Sequence, residues 1–299
     1  MPVLLEQRTL LLTSSRSQIL IASLLGIAIL SLTALLVGSA SDAGLFLASL
    51  VANGLALLLL WRNSAFGRYL DRRFPSTNKR LLAFGLFAAG AVTLFAKIAE
   101  DVTRHESTAL DRSVSLWVHR FDTPFLDKAM KGFSLLGTFD VKTLAVIVVL
   151  LWCLRRRDVV AFTGLLGVLL ADEALSGTLK SIFERPRPTL FHEVGPLHSF
   201  SFPSGHSMAA VAAYGMIGAV VARLVPRARG LAIVGTLIIA FLIGYSRIYL
   251  GVHWFTDVLA GYSAGAAILF VGILWLESHP PFERALRTAA PPPGPEAVS

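Results

Sequence analysis

Residues 159–188 read VVAFTGLLGVLLADEALSGTLKSIFERPRP. From Val159 to Leu179 the only charges are Asp172 and Glu173. An apolar run of this length matches the roughly 20 residues that a helix rising 1.5 Å per residue needs to cross a ~30 Å hydrocarbon layer. Lys180 closes the run. Pro186 and Pro188 then stop the helix, because proline lacks the N–H and disfavours helical backbone in the residue before it. Lys180, Arg185 and Arg187 therefore collect at one end of a membrane span. The solvent for much of this chain is lipid, and the fold class is an all-α, polytopic membrane helix bundle.

Working outward, the other spans are expected at 18–38, 44–61, 81–98, 138–154, 206–224, 230–247 and 254–276, giving about eight transmembrane helices with 159–182. The weakest is 138–154. Its unbroken apolar stretch runs only from Thr143 to Leu154, so Lys142 is expected to snorkel to the interface. Composition agrees: of 299 residues, 55% are hydrophobic and 15% charged, against about 25% charged in soluble domains. A disordered chain, a collagen and an ordinary soluble enzyme are excluded. The net charge of +8 reads as basic cytoplasmic loops, not nucleic-acid binding. The single cysteine, Cys153, excludes an intramolecular disulfide.

Loop charge orients the bundle with both termini in the cytoplasm. The inner loops then hold Arg62 to Arg80, Arg155 to Arg157 and Arg223 to Arg229, while the short outer loop 39–43 has no basic residue. Gly38-Ser39-Ala40 faintly resembles a signal-cleavage site, but 18–38 is longer than a signal core of 7–15 residues. Residues 99–137 mix charges with Val114, Trp117, Val118, Phe121, Phe125, Leu126, Met130 and Phe133, the pattern of amphipathic helices on the outer membrane face. Three segments result: an N-terminal transmembrane hairpin with a basic cytoplasmic loop (1–75), a core (76–278), and a proline-rich cytoplasmic tail (279–299) expected to be disordered.

Polar groups in or beside spans are expensive and need a reason. Three clusters stand out. Lys180, Arg185 and Arg187 fall on the outer side, where an interfacial basic belt does not belong. Pro203-Ser204-Gly205-His206 opens the sixth span. Ser204 can cap it, the free N–H groups of the first turn form an anion site, and Gly205 permits close approach. Ser246-Arg247-x5-His253-x3-Asp257 completes the set. If the last helix starts near Val252, His253 and Asp257 share a face, and the carboxylate can orient the ring so that its far nitrogen attacks. The topology brings all three clusters to the outer face. Lys180, Arg187 and Arg247 with a helix N-terminus and two histidines specify a phosphate-sized anion. No carboxylate cluster offers a divalent-metal site, so no metal or other cofactor is called for.

K-x6-RP, PSGH and SR-x5-H-x3-D, in that order, resemble the type 2 phosphatidic acid phosphatase (PAP2) superfamily of lipid phosphatases, over roughly residues 80–276. The resemblance implies a six-helix core, to which the N-terminal two-helix hairpin is additional. It implies a metal-independent phosphohistidine mechanism. His253 would be the nucleophile, Asp257 its orienting group, and His206 the proton donor and then the base. Lys180, Arg187, Ser204, Gly205 and Arg247 would bind the phosphate. The expected function is a lipid phosphate or diphosphate phosphatase at the outer face, which for a bacterial source is the periplasmic side of the inner membrane. Undecaprenyl diphosphate is the first expectation for the substrate. Phosphatidylglycerophosphate, phosphatidate and lipid A phosphates are alternatives. A phosphotransferase on the same scaffold, and a lipid-phosphate transporter or binding protein, are the rival functions.

Weaker signals remain. Asp172 and Glu173, mid-span, are expected to face the bundle interior, with Glu173 two turns before Lys180 on the same face; they read as structural partners of a buried polar group, with a relay or substrate role as the alternative. His192 and His198 read as exposed loop residues with an alternative role at the headgroup. Gly261-x-x-x-Gly265 serves close packing, either within the chain or in a homodimer. Trp61, Trp152 and Trp275 fall at inner interfaces and Trp254 at an outer one, as in an aromatic belt.

Overall fold

Asp158 and Glu184 bracket the decisive span. The Asp158 side chain accepts the Ala161 N–H at 3.0 Å and starts the helix, while Glu184 adopts a left-handed φ of 44° and ends it ahead of Pro186. Other helix starts follow the same logic. Thr123 accepts from Leu126 N ahead of Pro124, and Ser204 accepts from Ser207 N. The computed structural model describes residue 49 and residues 51–54, 79–190 and 199–279. Its helices are α1 (Lys79–Thr103), α2 (Thr108–His119), α3 (Pro124–Leu136), α4 (Phe139–Arg155), α5 (Val159–Phe183), α6 (Gly205–Leu224), α7 (Arg229–Tyr249) and α8 (Phe255–Ser278). No strand occurs among the described residues.

Among the described residues, five helices are long and apolar enough to cross a membrane: α1, α5, α6, α8, and α7 with its preceding 3-10 turn. α3 and α4 meet the same length and composition test only when taken together across their 51° bend, and would count as a sixth span only as one unit. The span 18–38, most of 44–61, Trp61, His192, His198 and the tail beyond His279 lie outside the described residues. Inside the second expected hairpin span, the Ser49 hydroxyl donates to the Gly90 carbonyl of α1 at 2.9 Å.

The fourth expected span differs from its sequence reading. α4 has 17 residues and is preceded by a break at Gly137-Thr138, where the Tyr214 hydroxyl donates to the Leu136 carbonyl at 2.6 Å. Lys142 does not snorkel. It is buried, its Nζ lies 3.0 Å from Asp172 Oδ2 and it also bonds Glu173 Oε1. Two sequence anomalies, a lysine in a short span and two carboxylates in the next, thus cancel each other. The structural reading of Asp172 and Glu173 holds, with Lys142 as the partner.

α2 and α3 also differ in part from surface helices. Val118 and Met130 are buried with Val114, Leu126 and Phe133 against Ile248, Tyr249, Leu250, Val252 and Val258. Only Trp117, Phe121 and Phe125 of the expected apolar face stay exposed. The two helices are therefore a roof on one end of the bundle. At the opposite end, Arg223 bonds Asp158 at 2.7 Å and the carbonyls of Leu276 and His279 at 3.0 Å, tying three helix termini together. Burial alone would raise the Asp158 pKa, but the bonds from Arg223 and from Ala161 N outweigh it and hold the carboxyl below its usual value.

Between these ends, α6 and α8 pack through the small residues. A Cβ on Gly261 would lie 2.5 Å from the Ser204 carbonyl oxygen, and one on Gly265 would lie 2.4 Å from that of Met208. The glycine pair thus serves contact within the chain. Gly261→Ala forces α8 away from the start of α6 and should lower the thermal midpoint in detergent, costing about 1–3 kcal/mol as overpacking does. Gly235→Ala, whose Cβ meets nothing within 4 Å, should not lower it.

Candidate functional site

The site grows from three helix ends at the roofed end of the bundle. After Glu184 ends α5, Arg185-Pro186-Arg187-Pro188 runs without helix. Prolines at alternate positions keep the segment extended, and the two arginines reach different partners. Arg187 is clamped by the Ser199 carbonyl (2.8 Å to Nε), the Ser199 hydroxyl (2.9 Å to Nη2) and the Val252 carbonyl (2.7 Å to Nη1). Its Nη1 also stands 3.2 Å from His253 Nε2.

The second end is the start of α6. Ser204 is fully buried, and its own N–H donates to the main-chain carbonyl of Asp257 at 3.0 Å. A Cβ on Gly205 would lie 2.8 Å from Ser176 Oγ and 3.8 Å from Lys180 Nζ. Glycine at this position is what lets Ser176 of α5 stand against the first turn of α6, with Lys180 one turn further along α5 at ordinary contact distance. Lys180 makes no hydrogen bond or salt bridge among the described residues. His206, one residue on, packs against the α3–α4 break, with Cδ2 2.7 Å from where a Gly137 Cβ would be. Its ring is within electrostatic range of Arg247, His253, Lys180 and Lys142.

The third end joins α7 to α8. Arg247 is buried, bonds the Ser134 hydroxyl through Nη1, and keeps an Nε with no partner. Its carbonyl accepts the N–H groups of Val252 and His253, at 3.2 and 3.3 Å, closing a turn through Gly251 at φ 63°. α8 begins at Phe255, not near Val252, so His253 sits in this turn and not on the helix. The pairing with Asp257 survives for a different reason. Asp257 Oδ2 accepts the Trp254 N–H at 2.9 Å as the helix opens, and lies 3.4 Å from His253 Nδ1. Ser246 donates to the Ile243 carbonyl at 2.6 Å and faces its own helix.

These contacts assign the His253 tautomer. A guanidinium only donates hydrogen bonds. Nε2 against Arg187 therefore carries the lone pair, and the ring proton resides on Nδ1, facing Asp257. Burial, then the cations Arg247, Arg187 and Lys180, lower the His253 pKa well below 6.5. The ring is neutral at pH 7, with its Nε2 lone pair directed at the Arg187 guanidinium.

All eight residues expected from the sequence (Lys180, Arg187, Ser204, Gly205, His206, Arg247, His253 and Asp257) converge on these three helix ends. Sequence reasoning missed Asp111, Ser134, Ser176 and Thr256, and gave Arg185 no place of its own. Asp111 is buried on α2, accepting the Thr256 N–H at 2.9 Å, the Thr256 hydroxyl at 2.7 Å and Arg185 Nη2 at 2.7 Å. A lone aspartate in an amphipathic helix carries no local signal of such a role.

The PAP2 superfamily model matches residues 161–280. A phosphatidylglycerophosphatase B of Bacillus subtilis is 33% identical over 187 residues, covering 59% of this chain and 88% of the relative. An undecaprenyl-diphosphatase of Sulfolobus acidocaldarius is 36% identical over 102 residues, covering 34% of this chain and 45% of the relative. The crystal structure of a transmembrane PAP2-type phosphatidylglycerolphosphate phosphatase from Bacillus subtilis superposes with a TM-score of 0.62 at 29% identity, over 66% of this chain and 98% of that one. The chain belongs to the PAP2 superfamily. It is a multi-pass membrane protein and a lipid phosphatase, a hydrolase of phosphate esters.

The depressed His253 pKa has a kinetic consequence. A nucleophile with an ordinary pKa would lose its lone pair as pH falls through 6.5. Here single-turnover loss of the lipid phosphate should show no acid limb near 6.5 attributable to the nucleophile, which a rapid-quench series between pH 5.5 and 7.5 measures.

Proposed function

We propose that the protein removes the terminal phosphate from a lipid phosphate at the outer leaflet through a covalent phosphohistidine. The observation that carries this reading is the placement of His253 between Asp257 and Arg187, with Nδ1 toward the carboxylate and Nε2 toward the guanidinium. Nε2 attacks phosphorus as the bond to the lipid oxygen breaks, and His206 protonates that oxygen. Water then attacks phosphorus, the N–P bond breaks, His206 takes the water proton, and inorganic phosphate leaves. Lys180, Arg187, Arg247, Ser204 and the Gly205 N–H hold the phosphoryl oxygens. Such positioning and charge neutralisation supply most of the rate in phosphoryl transfer. The unpartnered Nε of buried Arg247 and the uncommitted ammonium of Lys180 support an anion at this point.

The substrate reading is a glycerolipid phosphate monoester, phosphatidylglycerophosphate first. The relative with that activity in its name aligns over nearly its whole length, whereas the undecaprenyl-diphosphatase aligns over less than half of its own. This ranks the monoester ahead of undecaprenyl diphosphate, the expectation from sequence. For a bacterial source, the basic loops support an inner-membrane protein with its site toward the periplasm.

Phosphate release from phosphatidylglycerophosphate, phosphatidate and undecaprenyl diphosphate, in detergent with chelator, tests the reading. Phosphatidylglycerophosphate should show the highest kcat/KM. His253→Ala should lose turnover while melting like the parent, and His206→Ala should fall about 10²–10⁴-fold, the range of a lost general acid–base group. Substantial turnover by His253→Ala removes it as the nucleophile. Transfer of the phosphoryl group to a second lipid in place of water would make the protein a phosphotransferase.

A further inference from the structure

We propose that Asp111 and Arg185 are positioning residues that extend the His253–Asp257 pair into a four-membered chain, Asp111–Arg185–Asp257–His253. The inference rests on the phosphohistidine reading and adds to it the roof helix α2 as a working part of the site.

Arg185 lies between Lys180 and Arg187 in sequence, so a third phosphate-binding cation is the obvious expectation. Its bonds point elsewhere. Nη1 donates to Asp257 Oδ1 at 2.5 Å and to the Thr256 hydroxyl at 2.9 Å, and Nη2 donates to Asp111 Oδ2 at 2.7 Å. The guanidinium also stacks over the Trp254 ring, 5.7 Å from its centroid. Its side chain is 13% exposed, and two of its partners are buried carboxylates. Arg187, by contrast, bonds no carboxylate among the described residues and touches His253 itself.

The two oxygens of Asp257 are divided. Arg185 takes Oδ1, while Oδ2 faces Trp254 N and His253 Nδ1. A carboxylate pinned at one oxygen cannot rotate its other oxygen off the imidazole. Arg185 in turn needs a fixed platform, because a free arginine has many rotamers to lose. Asp111 supplies it. The carboxylate is 1% exposed and satisfied by three donors, two from Thr256 and one from Arg185. Buried carboxylates survive only with partners of this kind.

Charge gives Asp111 a second task. When His253 Nε2 gives its lone pair to phosphorus, the ring gains positive charge that Asp257 must stabilise. A guanidinium on the same carboxylate opposes that stabilisation unless it is neutralised from its other side. Asp111 neutralises it. Asp257 is then held by an arginine without losing its negative charge to it.

The test measures kcat and KM on dioctanoyl phosphatidate, with thermal midpoints to verify folding. The variants are Arg185→Gln, Arg185→Lys, Asp111→Asn, Asp257→Asn, His253→Ala and the double variant Arg185→Gln/Asp257→Asn. Arg185→Gln should lower kcat about 10–100-fold, as misaiming of a reactive group does, with KM held within about twofold because ground-state binding is untouched. Arg185→Lys, which keeps the charge but cannot span both carboxylates, should recover only part of the loss. In the double variant the losses should not add, because Arg185 acts through Asp257. A raised KM with unchanged kcat would make Arg185 a phosphate ligand and overturn the proposal. Additive losses, or full activity of Arg185→Gln, would overturn it too. If Arg185→Gln melts early, Asp111→Asn decides. It has the same size and can still accept the Thr256 N–H, so a kcat loss of about tenfold at parental stability supports the chain, and no loss refutes it. Turnover by His253→Ala sinks the phosphohistidine reading itself. An inactive His253→Ala beside a fully active Arg185→Gln sinks the positioning assignment alone.

Discussion

Asp257 is the residue on which the site depends. One oxygen of its carboxylate bonds Arg185 from the end of α5, and the other meets Trp254 N and His253 Nδ1 in the turn before α8. Its main-chain carbonyl accepts Ser204 N at the start of α6. A single fully buried aspartate thus joins three stretches of chain that are far apart in sequence. In the low dielectric of a membrane bundle these bonds are strong, and leaving any of them unmade is costly. The same residue shapes the helix start, the imidazole tautomer and the spacing of the pocket.

Around that anchor the charges are distributed for binding an anion and not for cancelling one another. Lys180, Arg187 and Arg247 converge on the pocket. Asp257 is committed to Arg185 and to the helix start, and Lys142 absorbs both Asp172 and Glu173. A tetrahedral phosphoryl group brings the negative charge that the pocket lacks. Preorganised donors in a water-poor site stabilise such charge without reorganising as it moves. Close packing makes the arrangement rigid: Gly261 and Gly265 bring α8 against the backbone of α6, and Gly205 lets the Ser176 side chain of α5 reach the first turn of α6.

Much of this was legible in the sequence because the membrane enforces simple rules. Backbone groups must be satisfied within each span, so long apolar runs read directly as helices, and charged residues at their ends read as a site. His253 and Asp257 were paired correctly on spacing, although the geometry behind the pairing is a turn and a helix start, not two residues on one helical face. Lys142 was misread, because snorkelling and burial predict the same sequence, and only the position of α5 decides between them. Asp111 and Ser134 were invisible for a related reason. Each reaches the site through the docking of the roof helices on the bundle, a tertiary event with no periodicity of its own. Arg185 was visible as a charge but not as a partner of Asp257, since alternation in an Arg-Pro-Arg-Pro segment shows that the two arginines point apart and not where either one goes.

The most direct measurement is the chemical identity of the trapped intermediate. Rapid acid-free quenching of the enzyme with lipid carrying a labelled terminal phosphate should yield a phosphoramidate, stable in base and labile in acid, on Nε2 of His253. Label at Nδ1, label on any residue other than His253, or full turnover with no covalent phosphate at any quench time would contradict the account.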